Sequence, residues 1–183
     1  MEIKFIFEAL SRVQPTKLQK LLEFSLSDYM PRKSKALTTN MIKDVSSVKE
    51  PRLLVLIGHL YFDYILEKML DKEPHSLNKH QRESFHAKLE FLNARSKFDH
   101  HIYIGLKEIN KLRNSFAHNI FYDLTKWEPT TIPFVQLYNL QVPKRKDLLR
   151  TFNIVLLRLS FLALFDALIQ SNRWLYLEDI PKS

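Results

Sequence analysis

The chain reads as an all-α, up-and-down helical bundle of four to five helices with an irregular insertion before the last helix. Three observations predict this. Apolar residues recur at three- and four-residue spacing over long stretches. Prolines fall at the ends of those stretches, where helices start and stop. Only two glycines, Gly58 and Gly105, occur in 183 residues. So few glycines disfavour a many-turned β-sandwich or barrel and exclude a Gly-rich phosphate loop. The length suits one domain with a real core.

From Thr16 to Tyr29 the residues Leu18, Leu21, Leu22, Leu26 and Tyr29 share one helical face, opened by Pro15 and closed by Pro31. Arg32 to Val48 turns to Lys, Ser, Thr and Asn and reads as a loop or ordered linker with room for a short helix. Glu50 to Lys72 is a strong helix, with Pro51 in its first turn and Pro74 beyond its end. Leu53, Leu56, Ile57, Leu60, Tyr64 and Met69 form its apolar stripe, which Leu54, Tyr61, Ile65 and Leu66 widen. Such breadth places it at a bundle centre or a dimer interface.

A second core helix is expected over Glu83–Lys97, using Phe85, Leu89, Leu92 and Phe98, and a third over His101–Ala117, using Ile102, Leu106, Ile109, Leu112 and Phe116. Phe121 to Arg145 breaks the pattern with Pro129, Pro133 and Pro143, and Ile132–Leu140 has room for a hairpin. The final helix is expected from Lys146 to about Leu175, with Phe152, Val155, Leu159, Leu162, Phe165 and Ile169 on one face. The expected organisation is one helical domain over 1–183. It divides into an N-terminal helix and loop (1–48), core helices (49–119), the irregular insertion (120–145) and the final helix (146–177).

Composition is 45% hydrophobic and 12% aromatic, which argues against disorder. There is no cysteine, so disulfides, Cys-based zinc sites and Cys nucleophiles are excluded. Glu2, Lys4 and Glu8 interrupt the first residues, unlike a signal peptide. The apolar run Ile154–Ile169 carries Arg158 and Asp166 and reads as too short to span a bilayer. These features lead to the expectation of a cytoplasmic protein with no membrane partner. A net charge of +8 points to a polyanionic partner, nucleic acid or an acidic protein.

The most informative run is R-N-S-F-A-H, Arg113 to His118. Asn114 and His118, four apart, share a helical face, and Arg113 sits on the flank. One reading makes His118 a helix ending that bonds the last carbonyls and favours the negative end of the dipole. The other is chemical. RNA cleavage needs a base for the 2′-hydroxyl, an acid for the leaving 5′-oxygen and a cation for the phosphorane. Imidazole serves as base or acid, and guanidinium meets phosphate as a two-pronged donor. One well-placed imidazole per chain is half of what is needed, so a symmetric homodimer is expected to supply the rest.

L-R-N-S-F-A-H at the end of the third core helix resembles the R-x4–6-H motif of the HEPN superfamily, in which a polar residue, often Asn, follows the Arg. Lys88–Arg95 (K-L-E-F-L-N-A-R) ahead of I-G-L-K-E-I-N-K is similar to the helix order of the mannitol-repressor-like and related HEPN families. The resemblance covers roughly Arg52 to His118 plus the last helix. It implies a metal-independent endoribonuclease with no cofactor, acting on RNA as a homodimer in a toxin–antitoxin or antiviral defence system. Arg113 would then be the phosphate clamp, Asn114 an orienting amide and His118 the general base or acid. Other HEPN branches are non-catalytic modules that bind nucleic acid or a partner protein, a cognate antitoxin or regulator among them, and that is the alternative reading.

Lys111, Lys144, Arg145, Lys146 and Arg150 are the candidate nucleic-acid contacts. The cations at the start of the last helix oppose its dipole and so ask for an external reason. His75, His80 and His86 match no metal-ligand spacing and read as surface histidines, as do His100 and His101 at a helix start. Asp63, inside an apolar helix, needs a partner if buried, and Arg113 or a histidine is the expected one.

Overall fold

The computed structural model describes residues 36–74, 78, 82, 84–128 and 142–172. The expected helix over Thr16–Tyr29, the β-prone stretch Ile132–Leu140, and His75 and His80 lie outside the described residues. Within them the chain is a bundle of five α-helices with no strand: α1 (Ala36–Ser47), α2 (Pro51–Leu70), α3 (Phe85–Ala94), α4 (His100–His118) and α5 (Lys146–Ser171). A 3-10 turn, Leu124–Lys126, is packed on α5.

Local chemistry explains where the helices start. The Glu50 carboxylate caps α2 by accepting from the amides of Arg52 and Leu53, and Pro51 occupies the first turn, where its missing N–H costs nothing. The Ser84 hydroxyl caps α3 by accepting from the Ala87 amide. α3 ends through Ser96, whose φ of 53° turns the chain left-handed while Ser96 and Lys97 amides return to the Asn93 and Leu92 carbonyls.

α2 is the hub and packs against each of the other four helices. Its core face is Leu54, Val55, Phe62, Ile65, Leu66, Met69 and Leu70. This corrects the expected stripe: Leu53, Leu56, Leu60 and Tyr64 point outward and are 42–58% exposed. Helix α1 occupies the stretch read as a loop or ordered linker with room for a short helix, and it is longer than that reading. Met41 and Val45 are fully buried, with Leu37, Ile42 and Val48 packed around them. That four-residue spacing was masked by the polar residues between. The faces of α3 and α4 are as expected, with Phe85, Leu89, Leu92, Ile102, Leu106, Ile109, Leu112 and Phe116 all buried.

α5 buries Leu156, Leu157, Phe161, Leu162, Phe165, Leu168 and Ile169; of the expected face Leu162, Phe165 and Ile169 are buried, while Phe152, Val155 and Leu159 are half-buried. By length and composition Leu148–Ile169 is long and apolar enough to cross a bilayer, and most of it is buried against the bundle, as in the core helix of a bundle. Its buried polar side chains Asn153, Arg158 and Ser160 each have a backbone carbonyl partner. Arg158 Nη2 donates to the Val48 carbonyl at 2.6 Å, and Asn153 Nδ2 to the Leu124 carbonyl at 2.8 Å.

α2 and α5 approach closely at Gly58, where an added Cβ would sit 2.6 Å from the ring of fully buried Phe161. At Gly105 the corresponding neighbour is half-buried Leu164, at 2.7 Å. Alanine in an open helix position would stabilise by about 1 kcal/mol. At Gly58 the overpacking outweighs this. Gly58→Ala is expected to destabilise by about 1–3 kcal/mol in urea unfolding, and Gly105→Ala by less, because Leu164 has room to turn. Equal stability of Gly58→Ala and wild type would show that the two helices are not in this contact.

Candidate functional site

The site is positioned by one polar edge of α2. Arg52, His59, Asp63 and Glu67 recur at seven-, four- and four-residue intervals and line the side that faces α3 and α4. Arg52 Nη2 donates to the Phe116 carbonyl at 2.8 Å, satisfying an orphan acceptor in the last turn of α4. His59, 8% exposed, donates from Nε2 to Asn110 Oδ1 at 3.2 Å, and its ring lies 4.3 Å from that of Phe85. Asp63 and Glu67 hold the buried Lys88 ammonium at 2.8 and 3.1 Å. The partner of Asp63 is therefore Lys88, and not Arg113 or a histidine. A lysine reaches it because α3 packs directly on that edge.

Along the opposite side of α4 runs a groove of about 850 Å³, lined by Lys107, Asn110, Lys111, Asn114 and His118, with His86 from α3 across from them. Glu108 and Ser115 complete the wall. The structure thus brings Asn114, His118 and Lys111 into one groove. Arg113 is not part of its lining. It is half-buried, close enough to His59 of α2 to lower that ring's pKa, and its Nη1 donates to Asn114 Oδ1 at 3.1 Å. His118 is exposed and makes no hydrogen bond or ion pair among the described residues. The carbonyl it was expected to cap belongs to Arg52.

Lys144, Arg145, Lys146 and Arg150 do not line this groove. They are exposed at the start of α5. Arg150 and Lys146 lie close enough to Asp123 to help hold its carboxyl below the usual range, an effect led by the Thr125 backbone amide. His86 is exposed, 3.7 Å from Glu90, and His100 and His101 are exposed in the first turn of α4. Among the described residues no three His, Asp or Glu side chains converge as metal ligands. Sequence reading passed over Arg52, His59, Lys107 and Asn110. For Lys107 and Asn110 a signal existed: positions 107, 110, 111, 114 and 118 form one polar helical stripe ending at the motif. For Arg52 and His59 there was none, since their partners lie 64 and 51 residues away.

Electrostatics sharpen two groups. Burial lowers the pKa of His59 below its ordinary value, against a raising effect of the Asn110 hydrogen bond. Arg113 and Lys88 lower it further and Asp63 opposes them. His59 is therefore harder to protonate in the fold than a free imidazole. Lys107 is held as a cation, its pKa raised chiefly by the hydrogen bond it donates to the Tyr103 hydroxyl.

Because the folded pKa of His59 is depressed, the unfolded chain binds this proton more tightly. Its stabilising contribution is complete above about pH 6.5 and is lost as pH falls through the lower folded value. The urea midpoint of the wild type is expected to fall between about pH 7 and pH 5.5, with a flatter profile in His59→Gln. Identical slopes in the two proteins would place the titration elsewhere.

Comparison with known proteins finds no family model that matches this chain, and no curated protein or solved structure similar to it.

Proposed function

We propose that this chain is a metal-independent endoribonuclease of the HEPN type, acting as a homodimer in the cytoplasm within a toxin–antitoxin or antiviral defence system. The observation that carries the reading is His118. It stands at the end of α4 in a groove with Asn114, and Arg52 has taken over the capping duty that would otherwise explain it. An imidazole with no structural role, beside an oriented amide and cationic lysines, suits acid–base work on a phosphodiester.

In the proposed reaction one imidazole takes the 2′-hydroxyl proton as the 2′-oxygen bonds to phosphorus. A second imidazole protonates the 5′-oxygen as its bond to phosphorus breaks. The products are a 2′,3′-cyclic phosphate and a 5′-hydroxyl. Arg113 spends one N–H on Asn114 and keeps others for the non-bridging oxygens. The second imidazole comes from a second copy of the chain. The exposed row Leu53, Leu56, Leu60 and Tyr64 on α2 is the surface that favours such a partner. It lies about a quarter-turn round α2 from the polar edge that faces α4, at ~100° per residue. One observation favours the non-catalytic alternative, a module that binds nucleic acid or a partner protein. Arg113 is not among the lining residues of the groove that holds His118.

Total RNA incubated with purified, folded protein separates the readings. The wild type is expected to cleave it, and His118→Ala to cleave at least about 100-fold more slowly, with an unchanged melting temperature. Leu60→Asp is expected to be a monomer by light scattering and equally slow. Undiminished cleavage by His118→Ala would remove the catalytic reading. A salt-sensitive RNA complex without products would favour the binding module.

A further inference from the structure

The groove along α4 displays hydrogen-bond donors well beyond the motif. Asn110 Oδ1 is taken by the buried His59 ring, and Asn114 Oδ1 by Arg113. Each amide is thereby oriented from the protein side, and each keeps its Nδ2 group, with two N–H donors and no partner among the described residues, for the groove. Lys107 and Lys111 add two ammonium groups to the same stripe. Acceptors are few: Glu108 lies 3.8 Å from Lys111, and the Ser115 hydroxyl donates to the Lys111 carbonyl. Among the polar groups of this lining, donors outnumber acceptors, which suits a ligand rich in acceptors.

We propose that Asn110, held in orientation by His59, is a phosphate-binding residue of an extended subsite for a single polynucleotide strand, remote from the bond at His118. The inference rests on the proposed reading of the groove as an RNA site. Asn110 and His118 are eight residues apart on α4, about 12 Å at ~1.5 Å per residue. That distance exceeds the span of one nucleotide, so Asn110 meets a phosphate beyond the scissile one. Lys107, nearly one turn further along, and Lys111 between them follow the same backbone. The groove has a volume of about 850 Å³, within the range of small-ligand clefts. His59 touches no ligand. It is a positioning residue that keeps the Asn110 carbonyl inward and the donor outward, a role burial suits by keeping the ring in place.

The test uses the full-length protein and fluorescein-labelled 2′-O-methyl oligonucleotides, which lack the nucleophile and report binding alone. Asn110→Ala is expected to weaken a hexanucleotide by about 10-fold and a dinucleotide not at all. Asn110→Asp keeps an acceptor for His59 but turns a carboxylate to the groove, and is expected to weaken the hexanucleotide by about 100-fold. His59→Ala should match Asn110→Ala, with no further loss in the double variant. Lys107→Ala should lower the salt slope of hexanucleotide binding by about 0.7. Wild-type hexanucleotide binding by both Asn110 variants, equal weakening of both lengths, or no binding of either oligonucleotide would overturn the subsite. Its failure is distinct from failure of the nuclease reading. Loss of RNA cleavage in His118→Ala with normal Asn110 variants sinks the subsite alone, and unchanged cleavage in His118→Ala with weakened Asn110 variants sinks the nuclease alone.

Discussion

The seam between α2 and its neighbours α3 and α4 governs everything else in this bundle. Along one edge of α2, Arg52 reaches the last turn of α4, His59 reaches its middle, and Asp63 and Glu67 enclose a buried lysine from α3. Apolar faces alone would let these helices slide, since one leucine replaces another at modest cost. The polar partners do not slide. Moving α4 by a turn would strand the His59 ring and the Phe116 carbonyl, at about 1–3 kcal/mol for each buried polar group left unpaired. The close approach of α2 to α5 at Gly58 sets the remaining contact of the hub.

The same seam determines what α4 offers outward. Arg52 occupies the helix end, so His118 is left without structural work. His59 and Arg113 occupy the oxygens of Asn110 and Asn114, so two amides carry their donors to the groove. The outward face of α4 is therefore shaped in part by His59 and Arg113, which are not among the groove's lining residues. In the proposed site this matches a general rule, that groups meant to touch a ligand are oriented by a supporting layer. It also explains why the motif alone was ambiguous. An Arg–His pair at a helix end has a structural reading until something else is seen to take the cap.

The all-α class was legible because it depends on periodicity, and α2, α3, α4 and α5 lie where their spacing and prolines place them. The rotation of α2 was not legible. Leu53, Leu56, Leu60 and Tyr64 form as regular a stripe as Leu54, Phe62, Ile65 and Met69, and hydropathy cannot say which faces the core. The polar edge does say so, once its partners are known, and those partners come from helices many residues away. α1 was obscured for a local reason, Thr, Asn and Lys interspersed among Met41, Ile42 and Val45. Of the candidate site, Asn114, His118 and Lys111 were legible as one face of a helix. Arg113 is displaced from that face, and the cations Lys144 to Arg150 belong to another part of the surface. His59 looked like one more residue in an apolar run.

The central claim is that the His118 imidazole acts on the 2′-hydroxyl of a strand lying along α4. It is tested most directly by the ends left on a DNA oligonucleotide that carries a single ribonucleotide. The account predicts one cut, on the 3′ side of that ribonucleotide, leaving a 2′,3′-cyclic phosphate and a 5′-hydroxyl. Cutting at deoxynucleotides, or 5′-phosphate and 3′-hydroxyl ends, would contradict it.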